Sequence, residues 1–217
     1  MKLKNKLHLI PNILSISRIF LTIIIVILMF IESHEVYSFS IDNLGLQTKV
    51  SVTFLIAGIL FLLACLTDFF DGFLARKYNW ISDFGKIWDS ISDKVLTNLI
   101  YISLTILNFI PFYFVLIMIF RDFVIDGYRS FSSKNGIVVP ANFFGKIKFV
   151  VQVISIIIIF FVFNFKGSYQ ANIVSYYLIQ NLFVILSTII SLTSGIIYII
   201  DIQKKLKEIK IQNKKQG

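Results

Sequence analysis

Six long apolar stretches dominate this sequence and constrain its fold more than any other feature. A helix needs about 20 mostly apolar residues to cross the hydrocarbon core of a bilayer, and each stretch is close to that length. Pro111 and Pro140 fall between stretches, where helices are expected to end. The pattern predicts an all-α integral membrane protein with six transmembrane helices in a single domain over residues 1–217. The stretches are 13–31, 50–71, 87–109, 112–128, 147–165 and 176–200.

The composition excludes several broad classes of protein. Hydrophobic residues make up 57% of the chain and charged residues 15%, which leaves too little polar surface for a soluble domain and too many apolar residues for disorder. The single cysteine, Cys65, excludes an intrachain disulfide framework. His8 and His34 lie far apart and outside any motif, which argues against a zinc site built from histidine.

Basic residues are distributed unevenly between the apolar stretches. The net charge is +9, and all but two of the 21 Lys and Arg residues fall on the side that both termini share. The exceptions, Lys49 and Lys166, lie on the opposite side. Cytoplasmic segments carry such an excess, so the pattern predicts cytoplasmic termini and an even number of spans. It argues against a nucleic-acid partner and for contact of the basic segments 1–10 and 201–217 with anionic membrane lipids.

Four aspartates form the most informative pattern in the sequence. Asp68 and Asp71 are three residues apart at the end of the second stretch, and Asp89 and Asp93 are four apart near the start of the third. Spacings of three and four place each pair on one helix face. Because a short connection joins the two helices, both pairs are expected near the cytoplasmic boundary, where the two faces can meet.

Four carboxylates at a membrane boundary are costly unless cations neutralise them. Two divalent cations would do so, and carboxylate oxygens suit Mg²⁺ or Mn²⁺. Two such ions would hold the attacking and leaving oxygens of a phosphoryl displacement. The alternative is structural, since an aspartate at a helix end can be a cap or an ion-pair partner of Arg76 or Lys94. Gly72, Ala75 and Gly85, between the pairs, leave room for a phosphate ligand or a neighbouring helix.

Together these residues resemble the signature of the CDP-alcohol phosphatidyltransferase family. The resemblance implies a six-helix membrane enzyme of a bacterial plasma membrane, usually a homodimer, with a two-metal site that faces the cytoplasm. It also implies the reaction, in which an alcohol hydroxyl attacks the phosphorus bonded to the lipid moiety and CMP leaves. All eight positions of the signature are present with the family's spacing, as Asp68-x2-Asp71-Gly72-x2-Ala75-Arg76-x8-Gly85-x3-Asp89-x3-Asp93.

The resemblance also implies roles for individual residues. The four aspartates would ligate the metals, and Asp93 would in addition be the general base. Residues of the signature and of the first stretch would contact the CDP-lipid donor or make room for it. For Arg18, inside the first stretch, the alternative is a side chain that extends to the membrane surface. The donor-binding set is Asn12, Arg18, Gly72, Ala75, Arg76 and Gly85.

Further motifs resemble the phosphatidylglycerophosphate synthases within this family. They include Pro11-Asn12-x2-Ser15-x2-Arg18, and Arg121-Asp122-Phe123, where the family more often has Arg-Glu. This resemblance implies CDP-diacylglycerol and sn-glycerol 3-phosphate as the substrates. An anionic acceptor agrees with a set of basic residues that we expect to bind its phosphate. They are Arg121, Arg129, Lys146 and Lys148.

Other functions are compatible with the same residues. The acceptor could instead be serine, an inositol phosphate or phosphatidylglycerol, although a neutral or zwitterionic acceptor needs fewer cations than this set offers. The basic residues could also serve only to set the membrane topology. A cation transporter is a third class, but transporter sites tend to lie near the membrane midplane, whereas these acids are expected at one boundary.

Overall fold

The computed structural model describes residues 10–31, 35–41, 46–77, 83–134, 143–161 and 173–216. Side chains are described at fewer positions than the backbone. Within those ranges, the structure describes the backbone but not the side chains of residues 10–13, 35–41, 46–50, 69–76, 83–84, 86–87, 143–144, 173–180 and 209–216.

Six helices make up most of the described chain, and each overlaps one predicted apolar stretch. The last one is 44 residues long and continues through the basic tail, which the sequence analysis treated as a separate segment. The tail contains no Gly or Pro before its last residue and is rich in Lys, Ile and Gln, so nothing in it ends the helix. The helices are α1 (Ile10–Phe30), α2 (Val52–Lys77), α3 (Asp83–Ile106), α4 (Phe112–Lys134), α5 (Phe143–Phe161) and α6 (Ile173–Gln216).

A short antiparallel hairpin precedes α2, and the all-α prediction did not include it. Its strands are β1 (Glu35–Ile41) and β2 (Leu46–Ser51), with Ile41 opposite Leu46 and an irregularity between Glu35 and Tyr37. In β1, aromatic or aliphatic residues alternate with Ser38 and Ser40, which is the period of a strand. The alternation is visible in the sequence, but the prediction from apolar stretches includes helices alone.

The break between α3 and α4 lies where the sequence predicts it, at residues 108–111. Asn108 has a positive φ of 62°, a conformation that Asn tolerates better than most residues. The Phe109 amide donates to the Leu104 carbonyl at 2.9 Å, and the Asn108 amide donates to the Thr105 carbonyl at 3.0 Å. These two bonds form a Schellman-type cap that satisfies the last carbonyls of α3. Pro111 follows, directly before α4.

The described chain divides into two compact units. The first consists of Met1–Phe109 and Ile156–Gln180, and the second of Ile110–Ser155 and Asn181–Gly217. In the first unit α1 packs against both α2 and α3. An aromatic cluster forms part of its core, with ring centroids 5.3 to 6.1 Å apart along the chain of contacts. The cluster is Phe54, Phe61, Phe109 and Phe160.

The second unit has its own core, in which Ile125, Tyr198 and Ile202 are buried. The Met118 sulfur accepts hydrogen bonds from Gln152 and from Ser187, both at 3.4 Å. The buried side chains of Gln152 and Ser187 thus share a hydrogen-bond acceptor inside this unit.

Apolar helices capable of contact with a membrane are present in both units. Among the residues that the structure describes, the segment Asn181–Glu208 is long and apolar enough to cross a bilayer. Leu14–Phe30 and Val52–Asp68 are shorter apolar helices. Large apolar side chains are exposed on several helices, for example Phe20 and Phe120, which are 64% and 69% exposed.

Candidate active site

Three of the four signature aspartates form a cluster in the first unit. Asp68 comes from α2, and Asp89 and Asp93 come from adjacent turns of α3. One carboxylate oxygen of each lies within 4.8 Å of one from each of the others. The helical spacing of four places Asp89 and Asp93 on one face, and the packing of both α2 and α3 against α1 brings Asp68 to it.

Arg18, from α1, lies at the centre of this cluster. Its Nη1 atom is 2.6 Å from Asp68 Oδ1, 2.7 Å from Asp93 Oδ1 and 3.6 Å from Asp89 Oδ1. The side chain is only 1% exposed, whereas those of the aspartates are 23% to 47% exposed. The alternative for Arg18, a side chain that extends to the membrane surface, does not describe this structure, in which the side chain is buried among carboxylates.

Hydrogen bonds to neighbouring residues orient this cluster. Arg18 Nη1 also donates to Ser92 Oγ at 3.1 Å, and the Ser92 hydroxyl donates to the Asp89 carbonyl at 2.9 Å. Thr22 and Thr97 donate to the backbone carbonyls of Arg18 and Asp93, at 2.8 and 3.0 Å. The Ser92 hydroxyl thus contacts the guanidinium itself, whereas the two threonines contact backbone carbonyls of residues that carry the charges.

The remaining signature residues lie on the helices that carry the cluster. Asp71 is one turn beyond Asp68 on α2, and Gly85 is one turn before Asp89 on α3. The side chains of Asp71 and Arg76 lie outside the described part of the structure, and so does that of Asn12 on α1. Their predicted contacts, and the room predicted at Gly72 and Ala75, are not tested by the geometry.

A second ionic cluster lies in the second unit and is organised by Asp122 of α4. Lys148 of α5 donates to both carboxylate oxygens of Asp122, at 2.5 and 2.6 Å. Arg121 Nη1 donates to Asp122 Oδ1 at 2.9 Å, and its Nη2 donates to Ser194 Oγ of α6 at 2.8 Å. All three charged side chains are nearly buried, with 9% to 13% of their surface exposed.

Space for the Arg121 side chain depends on a glycine of α6. A Cβ atom at Gly195 would lie 2.9 Å from Arg121 Nε and 3.2 Å from its Cγ, so a larger residue would displace the arginine. The sequence motifs predict no role for Asp122, Ser194 or Gly195. At position 122, the only sequence feature that sets the residue apart is an Asp where the family more often has Glu.

The four predicted phosphate-binding cations have different surroundings. Arg121 and Lys148 meet at Asp122, as described above. Arg129 donates to the Tyr198 hydroxyl at 3.3 Å, and its guanidinium carbon lies 5.6 Å from the centroid of that ring. Lys146 is exposed near the start of α5, two residues before the buried Lys148. These two lysines thus face different surroundings, as their separation around a helix predicts.

The carboxylate cluster has the chemistry of a divalent-cation site. Its donors are all carboxylate oxygens, the ligands that Mg²⁺ and Mn²⁺ prefer. The carboxylates of the cluster are partly exposed, which gives an ion access to them. They already bind one positive charge, that of the Arg18 guanidinium. Asp68, Asp89 and Asp93 therefore fit the metal site that the signature predicts.

Comparison with known proteins agrees with these features. The sequence profile of the family described as CDP-alcohol phosphatidyltransferase matches residues 8–195. A Mycoplasma genitalium protein named CDP-diacylglycerol–glycerol-3-phosphate 3-phosphatidyltransferase is 36% identical over 91% of this chain and 85% of its own length. A protein of the same name from Mycoplasma pneumoniae is also 36% identical, over 91% of this chain and 88% of its own.

A more distant relative extends the similarity beyond the mycoplasmas. A Bacillus subtilis protein of the same name is 34% identical over 67% of this chain and 73% of its own length. The aspartate cluster lies within the matched region, and the family match extends over most of the chain. This chain is a member of the CDP-alcohol phosphatidyltransferase family.

Proposed function

We propose that this protein transfers the phosphatidyl group of CDP-diacylglycerol to sn-glycerol 3-phosphate, forming phosphatidylglycerophosphate and CMP in phospholipid biosynthesis. The observation that carries the proposal is the cluster of Asp68, Asp89 and Asp93. These residues belong to the family signature, and they meet in a chain whose relatives bear the name of this activity.

The residues of the cluster supply the steps of this reaction. Asp93 would accept the proton of the acceptor hydroxyl at a carboxylate oxygen. The hydroxyl oxygen forms a bond to the phosphorus that carries the lipid, and the bond from that phosphorus to the CMP oxygen breaks with its electron pair. Asp68, Asp71, Asp89 and Asp93 would hold two divalent cations, Mg²⁺ or Mn²⁺, which supply positive charge to the diphosphate when bound.

Arg121 and Lys148 are the strongest candidates to bind the acceptor phosphate. They share the single carboxylate of Asp122, so the group retains a net positive charge. Asp122 holds the two cations beside each other, and a guanidinium can bind a phosphate through two parallel hydrogen bonds. Arg129 and Lys146 would contribute further positive charge for binding of the acceptor phosphate.

The donor would be bound by residues of α1 and of the signature. Asn12, Arg18 and Arg76 are the polar members of this set, and Gly72, Ala75 and Gly85 would leave room for the cytidine diphosphate. The Nη1 atom of Arg18 would serve the donor only after it leaves the carboxylates of Asp68 and Asp93.

We further propose that the chain crosses the plasma membrane of a bacterium six times, with both termini and the active site on the cytoplasmic side, and works as a homodimer. Six helices coincide with apolar stretches, and the basic residues are concentrated on one side of them. Exposed apolar side chains such as those of Phe20 and Phe120 suit contact with lipid tails.

Competition between acceptors tests the proposed substrate. Purified protein with CDP-diacylglycerol and Mg²⁺ would receive sn-glycerol 3-phosphate together with serine, inositol phosphate or phosphatidylglycerol, and the lipid products would be separated. We expect phosphatidylglycerophosphate as the main product. Arg121→Ala should reduce its formation by about tenfold or more through a higher KM for the acceptor. A different main product would show that sn-glycerol 3-phosphate is not the acceptor, although the protein would still be a phosphatidyltransferase.

A further inference from the structure

Arg18 contacts the same carboxylate oxygens that the proposed metals need. Its Nη1 atom lies 2.6 Å from Asp68 Oδ1 and 2.7 Å from Asp93 Oδ1, which are hydrogen-bonding distances, and 3.6 Å from Asp89 Oδ1. No more than 1% of the Arg18 side chain is exposed, so water screens these contacts poorly. The guanidinium thus stands where a cation bound by these three oxygens would be expected to lie.

We propose that Arg18 is a built-in competitor of the divalent cations, and that metal binding requires its guanidinium to withdraw from Asp68 and Asp93. The inference rests on the proposed function, because it takes the clustered aspartates as metal ligands. A metal ion bound to the same oxygens would add a second positive charge beside the buried guanidinium, and the two like charges would repel. Arg18 therefore sets the metal affinity of the site.

The exchange of the guanidinium for a metal ion requires movement of the Arg18 side chain but not of its backbone. The Thr22 hydroxyl donates to the Arg18 carbonyl at 2.8 Å within α1, which leaves the movement to the long side chain. Ser92 Oγ accepts from Nη1 at 3.1 Å and helps to hold the guanidinium among the carboxylates. Once withdrawn from the carboxylates, the guanidinium would be free to bind a phosphate group of the donor.

Direct titration of the full-length protein with Mn²⁺ tests the inference without an activity assay. The protein, in detergent, is stripped of metal with EDTA, dialysed and titrated, and free Mn²⁺ is measured by electron paramagnetic resonance. Arg18→Gln should lower the Kd for Mn²⁺ by about tenfold, because it removes the competing charge. Lys134→Gln, which removes an exposed charge at the end of α4, is the control and should change the Kd by less than about twofold.

Thermal unfolding distinguishes competition from a purely structural role. In EDTA, Arg18→Gln should unfold at a lower temperature than the wild type, because three carboxylates lose their shared partner. In saturating Mn²⁺ that difference should shrink or reverse. A structural role for Arg18 predicts the same difference in both conditions, and that result would overturn the inference.

Further outcomes separate this inference from the proposed function. If the wild-type protein binds no Mn²⁺, the aspartates are not a metal site, and both the proposed function and this inference are overturned. A wild-type protein that binds Mn²⁺, with an Arg18→Gln variant that binds it equally or less tightly, would overturn only the competition. If Arg18→Gln does not fold, Ser92→Ala weakens the hold on the guanidinium at constant charge. It should lower the Kd about twofold, and an unchanged or higher Kd would overturn the inference.

Discussion

At the scale of single residues, each ionic cluster is organised by one side chain of the opposite charge. Arg18 joins three aspartates in the first unit, and Asp122 joins Arg121 and Lys148 in the second. The aspartate spacing predicts which carboxylates share a helix face. It could not predict these central residues, because Arg18 lies 74 and 75 positions from Ser92 and Asp93 in the sequence. Such contacts depend on how helices pack rather than on local periodicity.

Replacement of one clustered aspartate should raise the metal requirement of the enzyme. Asp89 is the most exposed of the three, with 47% of its side chain accessible, so Asp89→Asn is the variant least expected to disturb folding. We expect the Mg²⁺ concentration for half-maximal CMP release to rise at least about tenfold, with partial recovery at high Mg²⁺. Asp201→Asn, on α6, is the control and should keep the wild-type midpoint. An unchanged midpoint in Asp89→Asn would argue against this residue as a ligand.

Asp122 should affect both stability and acceptor binding. Asp122→Asn leaves the nearly buried Lys148 without its carboxylate, which costs about 3 kcal/mol of stability when a buried pair is broken. Among molecules that fold, the KM for sn-glycerol 3-phosphate should rise more than the KM for CDP-diacylglycerol. Asp122→Glu keeps the charge and should be the milder change in thermal unfolding and in kinetics. Equal effects on both KM values would contradict a positioning role toward the acceptor.

At the scale of elements, the apolar stretches predict where the six helices lie, but neither the strands nor the full length of the last helix. The six apolar stretches and the break at residues 108–111 correspond to observed elements, because long apolar runs and a proline leave few alternatives. The hairpin was missed because its strands are short and partly polar. The helical continuation of α6 through the tail was missed because a basic charge run was interpreted by its charge rather than by its helix propensity.

Close packing between elements gives a prediction that contrasts two glycines. A Cβ atom at Gly58 of α2 would lie 3.0 Å from Phe160 Cβ and from the Phe161 ring of α5. Gly58→Val should therefore lower the unfolding free energy by about 1–3 kcal/mol through overpacking. At Gly127 of α4 no described atom outside the adjoining turns of its own helix lies within 4 Å of the added Cβ, so Gly127→Ala should stabilise the helix by up to about 1 kcal/mol. Thermal unfolding in detergent measures both, and equal shifts would contradict the packing at Gly58.

At the scale of the whole molecule, the proposed topology makes a prediction about accessibility. In a Cys65→Ser background, Lys49→Cys and Lys214→Cys place single thiols in the segments assigned to opposite sides of the membrane. An impermeant maleimide added to intact cells should label position 49 and not position 214, and it should label both after the membrane is opened. Labelling of position 214 in intact cells would contradict the cytoplasmic C-terminus, which rests on the distribution of basic residues.

We propose that this molecule joins a phosphatidyl group to sn-glycerol 3-phosphate at its aspartate cluster. The most direct test is CMP release from CDP-diacylglycerol by the purified protein in detergent with Mg²⁺, with and without that acceptor, beside an Asp93→Asn variant. We predict release that requires sn-glycerol 3-phosphate and falls by about 10²–10⁴-fold in the variant, the usual contribution of a general base. Absence of release with any alcohol acceptor, from protein shown to be folded, would contradict the account.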